Sequence, residues 1–380
     1  LRAHGDELLI IQTAFVGDLL LSVPLLKELR ATYEGAKITV LCRRGLGDFL
    51  LRSQLADEVV EADKSSKADW QNAVRILRQK RFALLLCPHQ SPRSRFLAWR
   101  LHAKRKIGYR SLLGNFVFDQ QVIRPMALPE AVRQLALLEP LDAKWHGRMA
   151  EIAGLQDQAG GQVNGGLIKI PTWADMSIPI LVRLRADFRQ TGMLRPVSSL
   201  KLQDLMAELG LRPERKTVFL APGSVWKTKM WNLDSYTKVA RAYLARGDRV
   251  IIIGAPNEAE ICAELARRAP GAVSIAGRCS LFESAELMCA ADLLICNDSG
   301  AMHMAATVGV PLVTVFGPTI LDFGYRPWTN QALVAQLPDG ELQCRPCGSH
   351  GGNVCPIGTH ECMKRITADE VLRKAEDLIN

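Results

Sequence analysis

Asp18 ends the run Thr13-Ala14-Phe15-Val16-Gly17-Asp18, which leaves an apolar, strand-like segment and enters a helical one. A carboxylate at that place can act as a general base on a hydroxyl held at the carboxyl end of the strand. It can equally complement the positive end of the following helix, and on residue type alone that cap is the commoner arrangement. A second run, Ala221-Pro222-Gly223-Ser224-Val225-Trp226-Lys227-Thr228-Lys229-Met230-Trp231, also follows an apolar strand. Ser224 and Thr228 offer hydroxyls there, and Lys227 and Lys229 offer positive charge to a phosphate; a solvated basic loop is the plainer reading, which the two bulky tryptophans weaken. In Cys296-Asn297-Asp298-Ser299-Gly300-Ala301-Met302-His303, Asp298 or Ser299 caps a helix whose first N–H groups favour an anion. Residue type alone makes His303 a packed or hydrogen-bonded histidine. Finally, Cys344, Cys347, Cys355 and Cys362 follow the spacing C-x2-C-x7-C-x6-C, with His360 competing with Cys362 as a fourth ligand of a tetrahedral metal site. Unligated thiols, or disulfides formed on purification, are the alternatives.

The common nucleotide signatures are missing. There is no G-x-x-x-x-G-K-[ST], no G-x-G-x-x-G after the first strand, and no D-x-D pair to hold a divalent metal on a diphosphate. A diphosphate bound here would have to be neutralised by protein cations and helix N-termini. From Trp70 to Phe118 the chain has no Asp or Glu but eleven Lys and Arg, against a net charge of +9 for all 380 residues. One surface should therefore be strongly positive, suited to an anionic partner, unless the block is a solvated helix face. The other six cysteines sit in apolar segments, as small buried hydrophobes do in a reducing cytosol. No apolar stretch reaches the roughly 20 residues needed to span a bilayer. Asp6 and Glu7 also stand where a signal peptide would be basic, so neither a span nor a signal is expected.

These residues must be positioned by alternating strands and helices, the pattern of a parallel α/β sheet. Strands are expected at Leu8–Thr13, Lys37–Leu41, Val59–Glu61 and Phe82–Cys87, then at Thr217–Ala221, Arg249–Ile253, Val273–Ala276, Leu293–Cys296 and Leu312–Phe316. Leu19, Val23, Leu26 and Arg30 mark one helical face; Tyr236, Val239, Ala240 and Tyr243 mark another. Between residues 143 and 200 the pattern fails among clustered Gly and Pro, which reads as a linker with an irregular insertion. Ile178 to Val182, with Arg183, Arg185 and Arg189, fits a short amphipathic helix within it.

The runs LLIIQTAFVGDLLLSVPLLKELR (8–30), PGSVWKTKMW (222–231) and NDSGAMHMAATVGVPLVTVFGPT (297–319) together resemble, in order and spacing, the signature blocks of the ADP-heptose:lipopolysaccharide heptosyltransferases, glycosyltransferase family nine. The resemblance implies the GT-B architecture, two Rossmann-like domains facing each other across a cleft. Its expected domains are 1–142 for acceptor, 143–200 as linker, 201–340 for nucleotide sugar, and 341–380 as a Cys-rich segment with a terminal helix. It implies inverting, metal-independent transfer of heptose from ADP-heptose to an anionic lipopolysaccharide inner-core acceptor. Other outcomes are another nucleotide sugar, a protein acceptor, or a non-catalytic nucleotide-sugar-binding protein. Asp18 matches the family's catalytic base and Lys229 the lysine on the diphosphate, with Ser224 and Thr228 in the same loop. Glu258 matches the acid that meets the ribose, and Asp298, Ser299, Gly300 and His303 match the donor block. The segment from Pro88 to Arg95 resembles the acceptor side, offering His89, Arg93 and Arg95. No cofactor is required for that catalysis, whereas cysteine-rich tails of relatives support a structural zinc or iron at Cys344, Cys347, Cys355 and Cys362. The substrate implies a cytoplasmic enzyme on the inner face of the inner membrane, held by Arg93 to Arg110, with no nucleic acid as partner.

Overall fold

Leu8, Leu9, Ile10 and Ile11 form an unbroken apolar run, the pattern of a strand covered on both faces, and all four are buried in β1 (Glu7–Gln12). The same logic builds β2 (Lys37–Arg43), β3 (Glu58–Ala62) and β4 (Phe82–Cys87), followed by β5 (Ala103–Tyr109) and β6 (Gln120–Val122). They make a parallel sheet of order β3-β2-β1-β4-β5-β6. A second parallel sheet combines β7 (Thr217–Ala221), β8 (Arg249–Ile252), β9 (Val273–Ser274), β10 (Leu293–Asn297), β11 (Leu312–Phe316) and β12 (Ala332–Gln336). Its order, β12-β11-β10-β7-β8-β9, repeats the topology of the first. The computed structural model describes residues 6–112, 114–158, 170–192, 194 and 199–379.

The two sheets lie in separate compact units. One holds β1 to β6 together with Pro171–Met176, the other runs from Ser177 through the second sheet to the terminal helix. In each, the strand order reverses between the first and fourth strands: β1 beside β4, and β7 beside β10. Open α/β sheets bind ligands outside the carboxyl ends of the strands at such a switch point. Asp18 and His89 follow β1 and β4, while Lys229 and Asp298 follow β7 and β10.

Several local expectations are corrected. The single helical face after Gly17 is two helices, Val16–Leu20 and Val23–Thr32, with the Ser22 hydroxyl 3.0 Å from the Asp18 carbonyl at the break and Pro24 opening the second helix. Within 143–200, helices span Lys144–Gln158 and Pro179–Thr191. The second is the amphipathic helix anticipated at Ile178–Val182, extended to a stop at Gly192 in the left-handed conformation. Leu181, Leu184 and Phe188 are buried in the second unit, and Arg189 pairs with Asp292 at 2.6 Å. The terminal helix Ala368–Ile379 buries Val371 and Ala375 in the core formed by Val313, Val315 and Ala335.

Candidate functional site

In the first unit, Asp18 lies in the first turn of Val16–Leu20. Burial raises its carboxyl above the ordinary range, against the lowering pull of the Phe15 and Asp18 N–H groups and of Arg124 and Lys64. Beneath it, Ser22 donates to Gln134 Oε1 at 2.7 Å while Gln12 Nε2 donates to Ser22 Oγ at 3.0 Å, so buried side chains from three segments fix the turn. Arg124 also pairs with Glu130, whose carboxyl is itself raised by burial. His89, after β4, comes within hydrogen-bond distance of three hydroxyls: Ser94 (2.8 Å), Thr13 (3.1 Å) and Ser91 (3.3 Å), all at Nδ1. Burial depresses its pKa to about 4, leaving a neutral imidazole at neutral pH. Arg93 lies 5.4 Å from the Trp70 ring centroid, and Arg95 is half-buried on the same helix, Pro92–Arg100. Arg124 and Lys64 were not anticipated, since each comes from a loop remote in sequence with no motif around it.

In the second unit, Asn297 at the end of β10 holds the loop after β7. Its Nδ2 donates to the carbonyls of Pro222 and Gly223 at 2.8 and 3.2 Å, and its Oδ1 accepts from the Trp231 N–H at 2.9 Å. Next to this staple the Lys229 ammonium and the Asp298 carboxylate meet at 2.6 Å, with side chains only 12% and 7% exposed. Thr319 donates its hydroxyl to the same carboxylate oxygen at 2.7 Å. Ser299 begins the helix Gly300–Val308 without a side-chain cap, so the first N–H groups are not satisfied by that side chain. His303 is buried, its Nδ1 has no hydrogen-bond partner among the described residues, and burial holds its pKa at about 4. Glu258 accepts the Ala255 N–H at 2.8 Å, and burial raises its carboxyl. It packs so closely on Gly223 that a Cβ there would come within 2.3 Å of the carboxyl carbon. Ser224 accepts the Trp226 N–H at 3.3 Å. Thr228 differs from expectation: it is buried, and its hydroxyl is engaged with the Gly352 backbone at 2.8 Å rather than open to a ligand.

Cys344, Cys347 and Cys355 are half-buried and Cys362 buried. Cys362 is held up to about 11 by burial and by the other three thiols, while the His360 N–H donates to Cys355 Sγ at 3.4 Å. Among the described residues, however, no group of three or more His, Cys, Asp or Glu side chains stands as a metal-ligand set. The His360 ring is directed elsewhere, Nε2 donating to the Thr228 carbonyl at 2.7 Å.

A groove of about 590 Å³ runs over the first unit between the helices Lys67–Arg78 and Pro92–Arg100. Trp70, Phe96, Arg75, Arg78 and Arg100 line it. Phe96 and Trp99 are 55% and 54% exposed with ring centroids 5.7 Å apart. Among the described residues, Arg75, Arg78 and Arg100 form no ion pair.

The sequence profile of glycosyltransferase family 9 (heptosyltransferase) matches residues 185–353, the stretch containing both phosphate-type loops. Lipopolysaccharide heptosyltransferase 2 of Salmonella typhimurium is 22% identical over 98% of this chain and 99% of its own length. The family resemblance is thus carried by residues 185–353, and the full-length likeness by relatives of lower identity. Lipooligosaccharide heptosyltransferase 2 of Campylobacter jejuni is 30% identical over 44% of this chain, and there the match covers 53% of the relative. The chain thus spans about half the length of the Campylobacter and Haemophilus relatives it matches. Among solved structures, the ADP-heptose lipopolysaccharide heptosyltransferase II of Escherichia coli superposes with a TM-score of 0.70, at 21% identity and 98% coverage of both chains. That likeness shows the fold alone: two Rossmann-like units of the GT-B fold class. The iron-containing dodecameric glycosyltransferase TibC from enterotoxigenic E. coli is a more distant fold neighbour, with a TM-score of 0.52 and 15% identity over all of this chain and 77% of TibC.

Proposed function

We propose that the chain transfers a heptose from ADP-heptose to an anionic inner-core lipopolysaccharide acceptor, with inversion at the anomeric carbon. The observation that carries this reading is the Lys229–Asp298 pair beside the uncapped start of Gly300–Val308, at the switch point of the second sheet. Asp298 holds the ammonium in place, and an incoming diphosphate takes it over while the helix N-terminus receives further negative charge. Ser224 adds a hydroxyl, Glu258 meets the ribose, and His303, neutral and unpartnered at Nδ1 among the described residues, offers a hydrogen bond without adding charge. In the transfer, the acceptor oxygen forms its bond to the anomeric carbon as the bond to the ADP oxygen breaks. The acceptor proton goes to the Asp18 carboxylate, and ADP departs with the electron pair of the broken bond. His89, Arg93 and Arg95 receive the acceptor.

This neutralisation uses protein groups only, so divalent metal has no place in the transfer. Acceptor-dependent release of ADP, with the heptosylated product identified by mass spectrometry, tests the reading. Release from other nucleotide sugars but not ADP-heptose overturns the donor assignment, and turnover that a chelator abolishes and Mg²⁺ restores overturns the metal-independent step.

A structural iron or zinc held by Cys344, Cys347, Cys355 and Cys362 is part of the same reading. Support comes from the spacing C-x2-C-x7-C-x6-C and from TibC's iron; the engaged His360 ring favours Cys362 as the fourth ligand. Four protein ligands leave no open position, so the metal would stabilise the segment rather than react. Less than about a tenth of a metal atom per chain, in protein purified without chelator, overturns it. The basic, aromatic groove is the proposed contact with the anionic inner-membrane surface. Among the described residues no helix is long and apolar enough to cross a membrane.

A further inference from the structure

All three polar groups of Thr228 are taken up by the Cys-rich segment. Its N–H donates to the Gly352 carbonyl at 2.9 Å, its hydroxyl bonds the Gly352 carbonyl and N–H at 2.8 Å each, and its carbonyl accepts from His360 Nε2 at 2.7 Å. The contact is closely fitted, since a Cβ on Gly351 would come within 2.9 Å of Thr228 Oγ1 and 3.5 Å of Lys229 Cγ. Gly351 also has φ +74°, where a side chain is strained. One turn earlier the Trp226 ring stacks on His350, with centroids 6.3 Å apart and planes 11° from parallel. The segment reaches the other half of the ion pair as well. Arg345 donates to the Thr319 carbonyl at 3.0 Å, Cys347 N–H donates to the Pro318 carbonyl at 2.8 Å, and Thr319 holds Asp298.

Lys229 and Asp298 are therefore bracketed from both sides by one irregular stretch, which carries no helix or strand from β12 to Glu361. An irregular stretch gains its order from such contacts. We propose that the Gly351–His360 stretch is a brace for the donor phosphate loop: His360 and Gly351 are positioning residues that set nucleotide affinity by fixing Thr228 and, through it, the Lys229 ammonium. The inference rests on the donor reading above and assigns the Cys-rich segment a task within it. Coupling of this kind is reciprocal, so a nucleotide that uses the braced loop must in turn order the brace.

The test is titration calorimetry of the full chain with ADP alone. His360→Asn keeps a residue that tolerates the left-handed backbone (φ 54°) but is too short to reach Thr228, and Gly351→Ala pushes on the loop directly. Both should weaken ADP binding about tenfold or more and raise the donor KM in parallel, with kcat at saturating donor within about twofold and the acceptor KM unchanged. His360→Gln, which restores a reaching N–H donor, should recover much of the affinity. In the wild type, saturating ADP should slow amide exchange across residues 348–360. Unchanged ADP affinity in His360→Asn, or exchange there indifferent to ADP, overturns the brace. A wild-type chain that does not bind ADP overturns the donor reading itself, and the brace with it.

Discussion

At the scale of single residues, the raised pKa of Asp18 makes a prediction with a sign. A carboxylate acting as base must be deprotonated, so kcat/KM should fall as the pH drops, with its midpoint above the ordinary carboxyl range because burial disfavours the charged form. Asp18→Asn should lose about 10²-fold or more in kcat and with it that acid limb. A variant turning over at near wild-type rate removes Asp18 from the role. His303 acts on stability instead. Its folded pKa of about 4 lies below the ordinary 6.5, so the unfolded chain binds more protons between those values, and stability present above pH 6.5 is lost as the pH falls toward 4. Thermal unfolding of His303→Gln should therefore fall less steeply over that window than the wild type, and parallel declines would count against the assignment. The sequence already marked Asp18, Lys229, Asp298 and His303, because each stands in a dense local motif. It could not mark Arg124, Lys64 or the Ser22–Gln134 bond, which join segments as many as 112 residues apart. Thr228 is the opposite case: its hydroxyl looked available because the Gly352 backbone that takes it lies 124 positions onward.

At the scale of elements, the loop after β7 is shaped by β10 rather than by its own residues. Asn297→Ala removes the bonds to Pro222, Gly223 and the Trp231 N–H at once and leaves buried backbone groups unpaired, each worth roughly 1–3 kcal/mol. Denaturant unfolding should show a loss of at least ~2 kcal/mol together with weaker ADP binding. A change within ~0.5 kcal/mol, the usual surface effect, would mean the staple is dispensable. Strands made of buried apolar runs, such as Leu8 to Ile11 and Leu312 to Phe316, were readable directly. The missed strands were β5, β6 and β12: β5 reads Ala-Lys-Arg-Lys-Ile-Gly-Tyr, with Lys104 exposed and only its last three residues buried, so its hydrophobic signal is carried by neighbours. β6 has three residues and alternation in β12 covers five, too short to outweigh the surrounding loops. The helix Lys144–Gln158 escaped notice for a different reason, since Gly147 and Gly154 interrupt its pattern and the Gly and Pro that follow it dominate the local composition.

At the scale of the molecule, the two halves reach one strand order, because parallel crossovers of one hand leave few ways to cover a six-stranded sheet. Fold class was legible for that reason, whereas what the basic half binds was not, since charge alone does not choose among anions. Geometry narrows the choice. Three arginines with no ion pair among the described residues surround a groove that also exposes Phe96 beside Trp99, and Arg100 lies 5.6 Å over the Phe96 ring. An amphipathic surface of this kind suits the headgroup level of an anionic bilayer better than a purely polar polyanion, as aromatic rings favour the interface and each basic residue adds about 1 kcal/mol there. Arg75, Arg78 and Arg100 changed together to Ser should therefore weaken binding to vesicles with anionic phospholipid by about 10²-fold, with ADP affinity unaltered. Wild-type binding should fall steeply as salt rises toward 1 M, where the Debye length shrinks to about 3 Å, and neutral vesicles should bind weakly at any salt. Sedimentation of lipid-bound protein measures both. Retention of the wild type on vesicles in 1 M salt, or equal binding by the triple variant, would remove the groove as the membrane contact. An apolar anchor at Ile178 to Leu184 would then have to rest on the exposed Val182, since Leu181 and Leu184 are buried in the second unit.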